Sequence, residues 1–176
     1  MRIAAPAGFS FQQTVESHGW YLLAPFRWSR REKVLRRPEL LGGQVVDLEI
    51  RCRRGSIEIL ASSTGIDTAL LRERIVRMLQ LDVDTAEFAE LARTSAAHAW
   101  VADAGFGRLL CGTTLFEDAV KIIATTNTTW RQTVRMVDLL VDKCGVRTKA
   151  GYRAFPSAAG IARFSADELQ RDCRLG

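Results

Sequence analysis

"TTLFEDAVKIIATTNTTW", residues 113 to 130, runs from a capping signal into an apolar helical repeat and then into five small polar residues before a tryptophan. Thr114 with Glu117 three positions on has the spacing of a reciprocal N-terminal capping box. Phe116, Ala119, Val120, Ile122 and Ile123 recur at helical intervals, so the stretch predicts a helix with one face to a core, ending near Thr126. The following "TTWRQTVRMVDLLVDKCG" supplies Thr129 as a cap, a stripe of Val134, Val137, Leu140 and Val141, and Gly145 as a stop. Two helices therefore meet at a junction rich in hydrogen-bonding groups and poor in packing groups.

Upstream, the texture differs. Residues 9 to 61 read as an antiparallel sheet, with "FSFQQTVES", "GWYLLAPFRW", "KVLRR", "GQVVDLEIR" and "GSIEILAS" as strands and Gly42-Gly43 and Gly55 as hairpin turns. After Gly65 the pattern becomes helical. Asp67 caps a helix carrying Leu70, Leu71, Ile75, Met78 and Leu79, Thr85 caps another, and a shorter one runs through His98 and Trp100 to Gly105. Downstream, "GVRTKAGYRAF" is a loop, Pro156-Ser157 opens a short helix, and Ser165 with Glu168 gives a second capping box. The fold class is α+β: an N-terminal antiparallel sheet with helices over residues 1 to 82, then a helical unit over 83 to 176.

Composition narrows the function classes. The 176 residues are 47% hydrophobic and 26% charged, with a net charge of +5, an ordinary globular balance that admits a polyanionic partner. Arg27, Arg30, Arg31, Lys33, Arg36 and Arg37 stand against the single acid Glu32, which reads as an arginine-rich surface. No uninterrupted apolar run reaches membrane-spanning length and the N-terminus turns polar early, so a cytoplasmic protein without membrane attachment is expected. Cys52, Cys111, Cys144 and Cys173 are scattered, with no CxxC spacing and no adjacent histidine, and read as free thiols rather than metal ligands. His18 and His98 lack a nearby carboxylate or serine constellation and read as structural or surface residues. No GxSxG, HExxH, phosphate-loop or dinucleotide fingerprint occurs.

The order of these parts resembles the N-terminal part of the helix-hairpin-helix DNA glycosylases, the superfamily that excises alkylated bases and 8-oxoguanine. The resemblance rests on "ESHGWYLLAPFRW" (16 to 28), "GRLLCGTTLFEDAVKIIATTNTTW" (107 to 130), "TVRMVDLLVDKCG" (133 to 145) and "AFPSAAGIARFSADEL" (154 to 169). It implies a sheet domain followed by the first helices of an all-α glycosylase domain. It also implies double-stranded DNA containing a damaged purine as partner, and base flipping followed by hydrolysis of the N-glycosidic bond without metal or cofactor. In 8-oxoguanine-type members an asparagine at this helix junction enters the duplex and meets the estranged base. The matching residue is Asn127, with Thr125, Thr126 and Thr128 letting the backbone approach the DNA and donating to phosphate.

"PFRW" resembles a motif of the 8-oxoguanine enzymes, which makes Phe26 and Arg27 candidate base-pocket or DNA contacts and leaves Trp28 as sheet core. In that motif a glycine precedes the phenylalanine by three positions; here Leu23 stands there, a departure from the pattern of oxidised-base recognition. Family members open their hairpin with Leu-Gly-Tyr-Arg-Ala and carry the catalytic aspartate, and in some the lysine, beyond it. This sequence ends on Leu175-Gly176, so the expectation is a chain truncated at the hairpin, with no catalytic residue of its own, inactive alone, and exposing apolar stripes between 115 and 145 that favour self-association. The alternatives are a non-catalytic DNA-binding module and a protein-interaction domain.

Overall fold

The computed structural model describes residues 1–175; Gly176, the second residue of the expected hairpin opening, lies outside the described residues. Two turns organise the sheet. Gly42 and Gly43 both have positive φ (54° and 87°), as do Arg54 and Gly55 (49° and 71°), the mirror-image turn geometry that matches strand twist. They join β3 (Val34–Leu41) to β4 (Gln44–Arg53) and β4 to β5 (Ser56–Ala61). β1 (Arg2–Ala4) pairs with β5 and β2 (Arg27–Ser29) with β3, giving a five-stranded antiparallel sheet in the order β1-β5-β4-β3-β2.

Alternation along β4 sends Val46, Leu48 and Ile50 to the inner face. α1 (Phe11–Val15) and α2 (Thr68–Leu79) add Phe11, Val15, Leu71, Ile75 and Met78 to that core. α3 (Ala86–Arg93) and α4 (Ala99–Asp103) lead to α5 (Leu115–Ile123) and the long α6 (Trp130–Cys144), followed by α7 (Ala158–Ile161) and α8 (Ala166–Cys173). A second core gathers Leu23, Ala124, Met136, Val137, Val141 and Phe155; a third joins Leu140, Cys144 and Cys173 between α6 and α8. All four cysteines are free. No described helix is long and apolar enough to cross a membrane.

Several expectations are corrected. "FSFQQTVES" is helical, because Phe11, Thr14 and Val15 bury one helical face and Ser10 Oγ accepts from the Gln13 amide. "GWYLLAPFRW" contributes only Arg27 to Trp28 to strand; Trp20–Leu22 form a 3-10 turn entered through Gly19 at φ 87°. Thr85 makes no side-chain cap; Asp84 Oδ1 accepts from the Ala86 amide instead. At α5 only half of the capping box forms: Thr114 Oγ1 accepts from the Glu117 amide, while the Glu117 carboxylate turns inward.

The largest correction concerns the faces of α5. The apolar residues Leu115, Phe116, Ile122 and Ile123 are exposed, at 75%, 36%, 55% and 68%, whereas Glu117, Asp118 and Lys121 are buried. The helix carries its charges inward because the sheet offers charges to meet them. β3 presents Leu35, Arg37, Glu39 and Leu41 to the same face as Leu48 and Val46, so Arg37 and Glu39 interrupt the apolar face at its centre. Arg37, read from sequence as part of a solvated run, is 1% exposed.

Candidate nucleic-acid interface

The junction between α5 and α6 is held from below. Thr133 Oγ1 donates to the Ala124 carbonyl at 3.0 Å, tying the first buried turn of α6 to the end of α5. Thr129 closes a full capping box with Gln132, its hydroxyl accepting from the Gln132 amide and its own amide donating to Gln132 Oε1 at 3.0 Å. Thr125 Oγ1 donates to the Ile122 carbonyl at 2.6 Å, Thr126 Oγ1 to the Ile123 carbonyl at 2.7 Å, and Thr128 Oγ1 to the Thr129 carbonyl at 3.0 Å. Each hydroxyl adds a second bond to a carbonyl that already accepts a backbone amide, from Thr125, Thr126 and Thr133 respectively.

Asn127 is different. It is exposed, sits at φ 52°, a left-handed conformation that asparagine tolerates better than most residues, and its carboxamide has no hydrogen-bond partner among the described residues. The turn thus presents one uncommitted amide side chain at its apex on a backbone fixed from both sides. Trp130 rims the turn at 40% exposure, and Gly19 lies beside its ring, where a Cβ would make an ordinary contact with Cζ2 at 3.4 Å. Next to Gly19, His18 is exposed and stacks against Trp20 with centroids 5.3 Å apart.

Phe26 and Arg27 have separate settings. Phe26 is 5% exposed, with Lys121 Nζ 4.4 Å and the Arg37 guanidinium 4.7 Å from its ring centre. Arg27 lies partly exposed with its guanidinium 3.3 Å from the Tyr152 ring centre. Trp28 packs edge-on against Phe11, and its indole N–H donates to Glu16 at 2.7 Å.

Beneath α5 lies a charge cluster that sequence reading did not find. Arg37 forms a fork on Glu117, Nη2 to Oε2 at 2.9 Å and Nη1 to Oε1 at 3.3 Å, and also reaches Glu39 at 2.8 Å. Lys121 Nζ donates to Glu117 Oε1 at 2.6 Å, Thr113 bridges Glu39 and Glu117, and Arg74 closes on Glu39 from α2. Burial alone would raise the Glu117 carboxyl; Arg37 and Lys121 overcome it and hold it at about 2. Burial pushes Lys121 down, offset in part by Glu117, and pushes Asp118 up despite its bond from the Gly112 amide and its pairing with Arg77. Gly112 is required: a Cβ there would meet Asp118 Oδ1 and Glu117 Cγ at 2.8 Å.

A cleft of about 260 Å³ opens beside this cluster between Phe116 and Phe155. The only signal for the cluster in the sequence is the i, i+4 pair Glu117 and Lys121, together with Arg37 and Glu39 on the alternate positions shared by Leu35 and Leu41. Among the described residues no group of three His, Cys, Asp or Glu side chains is arranged to hold a metal ion.

No family model and no curated sequence matches the chain. Solved structures do. A 3-methyladenine DNA-glycosylase from Archaeoglobus fulgidus superposes with a TM-score of 0.80 at 17% identity, over 100% of this chain and 62% of that one. MBOgg1, in complex with a low-affinity DNA ligand, gives 0.70 at 14% identity over 99% and 57%. The Clostridium acetobutylicum 8-oxoguanine glycosylase/lyase, in complex with double-stranded DNA containing cytosine opposite 8-oxoguanine, gives 0.67 at 17% over 96% and 55%. This chain therefore spans about three fifths of the length of the structures it matches, and over that span its α+β architecture is the fold of the DNA glycosylases.

Proposed function

We propose that the chain is the DNA-reading part of a base-excision glycosylase acting on a damaged purine, with Asn127 as the residue that enters the duplex. The observation that carries this reading is the exposed, left-handed and hydrogen-bond-free Asn127 at the apex of a turn braced by Thr129 and Thr133. Extruding a base costs a few kcal/mol of stacking and pairing, and a short amide on a rigid turn both fills the gap and bonds the orphaned partner. Excision also needs an acid to stabilise the oxocarbenium charge that develops on the sugar. The carboxylates of α5 are already engaged, Glu117 by Arg37 and Lys121 and Asp118 by Arg77, so the reading assigns that part to neither of them.

The test is binding to a fluorescent duplex containing an abasic-site analogue against an intact duplex. The expected result is a preference for the abasic duplex that Asn127→Ala reduces about tenfold, in line with loss of one or two hydrogen bonds in a desolvated site. Equal binding to both duplexes, unchanged in the variant, would remove Asn127 from the interface.

A second reading rests on the exposed face of α5. Leu115, Phe116, Ile122 and Ile123 form a contiguous apolar strip of the kind that protein contacts cover, which favours self-association of the chain.

A further inference from the structure

We propose that the loop after α6 is a second DNA contact, a basic hairpin that holds backbone phosphates; this rests on the reading that the chain binds DNA. Val146 to Phe155 contains Arg147, Lys149 and Arg153 and no acid. The loop is a tight hairpin rather than a slack connection: the Thr148 amide donates to the Tyr152 carbonyl at 2.7 Å, the Gly151 amide to the Thr148 carbonyl at 3.0 Å, and Ala154 to Val146 at 3.0 Å. It pairs Arg147 directly with Arg153 across an antiparallel bridge. Like charges at facing positions repel, and a hairpin that places them there is best stabilised by an anion between or beside them.

Arg27 completes the cradle. Its guanidinium carbon lies over the Tyr152 ring, 3.3 Å from the ring centre, which ties the side chain to the hairpin. No carboxylate lies within ion-pair distance of Arg27, Arg147, Lys149 or Arg153 among the described residues, and only Arg153 spends a donor internally, on the Gly145 carbonyl at 2.7 Å. Arg36, which faces Arg27 across β2 and β3, takes Glu49 and Glu32, and Arg51 takes Glu49 as well. Thr148 is 5% exposed with an unpartnered Oγ1, and Arg27 Nε is likewise buried and unpartnered. Four cations without ion pairs, Arg147 and Arg153 facing each other across the hairpin and Arg27 held against Tyr152, offer the charge that phosphate oxygens pair with.

α6 separates the Asn127 turn from this hairpin by 15 residues, about 22 Å of helix, or roughly six base-pair steps of B-form rise.

Affinity for the intact and the abasic duplex is measured between about 50 and 200 mM salt, where each phosphate contact contributes about 0.9 to the slope of log affinity against log salt. The double variant Arg147→Ala, Lys149→Ala is expected to lower that slope by about two and to weaken both duplexes equally, leaving the abasic preference and its dependence on Asn127 intact. Arg53→Ala, Arg54→Ala, which removes the same charge from the β4–β5 turn, is expected to leave the slope unchanged. Arg27→Lys, which keeps the charge and loses the fork, is expected to weaken binding severalfold. An unchanged slope in the hairpin variant, with the abasic preference present in the parent, overturns the hairpin alone. Equal slope loss in the two double variants also overturns it, by tracing the effect to net charge. No salt-dependent binding by the parent chain overturns both readings.

Discussion

Glu117 is the residue on which the interior turns. It accepts from Arg37, Lys121 and the Thr113 amide while fully enclosed, so its charge is compensated on every side. Removing one partner of such a set leaves an uncompensated ion in a low dielectric, whereas replacing a pair with apolar groups of similar volume is often neutral. Glu117→Gln is therefore expected to cost about 3–5 kcal/mol in urea denaturation. The pair Glu117→Met, Lys121→Met is expected to recover most of that loss, since Arg37 retains Glu39 and the methionine at 121 falls among Phe26, Phe155 and Trp20. A double variant no better than the single one would show that Arg37 depends on Glu117 itself. None of this could be read locally: Arg37 and its partner Glu117 are 80 positions apart, and a lone arginine in a basic run has the same local appearance whether it is solvated or buried. The turn that carries Asn127 is legible because its context is local, a helix end and a second cap within a few residues.

At the scale of elements, α5 shows what periodicity conveys and what it leaves open. The spacing of Phe116, Ile122 and Ile123 correctly announces a helix with two chemically distinct faces. Which face is inward depends on what the sheet presents, and β3 presents Arg37 and Glu39. The hairpins at Gly42-Gly43 and Gly55, the cap at Thr129, the capping box at Ser165 and the helix opened by Pro156-Ser157 are short-range and readable. α1 was not, because five residues of mixed aromatic and β-branched character satisfy both periods until Ser10 closes its cap. The apolar strip on α5 makes a direct prediction. Ile122→Asn, Ile123→Asn is expected to leave the melting temperature within a few degrees of the parent, because both side chains are exposed, and to shift sedimentation toward monomer. A parent chain that is monomeric throughout the concentration range would dispose of self-association.

For the molecule as a whole, the buried cluster sets the response to acid. Glu117 titrates near 2 in the folded chain against an ordinary 4.5, so the folded state binds fewer protons than the unfolded one between those values. The stability this contributes, roughly 3 kcal/mol from the size of the shift, is fully present above about 4.5 and is lost as pH falls toward 2. Lys121 acts in the same direction at the other end of the scale: burial depresses it, so the folded chain gains stability as pH rises toward its ordinary 10.5 and the cost of enclosing the charge is relieved. Denaturant midpoints between pH 6 and 2.5 should fall for the parent and fall less for the Glu117→Met, Lys121→Met variant. Parallel curves would mean that other carboxylates govern acid unfolding.

The same arrangement also bears on heat. The sheet and α5 are joined at their centre by ions rather than by hydrocarbon, Arg37 and Glu39 on one side meeting Glu117 and Lys121 on the other. The desolvation cost of ion pairs shrinks as temperature rises, while apolar burial gains little more. Warming therefore loosens this joint least relative to its surroundings, and acid loosens it most, so the two treatments dismantle the chain in different orders: heat from the apolar edges inward, acid from the middle out.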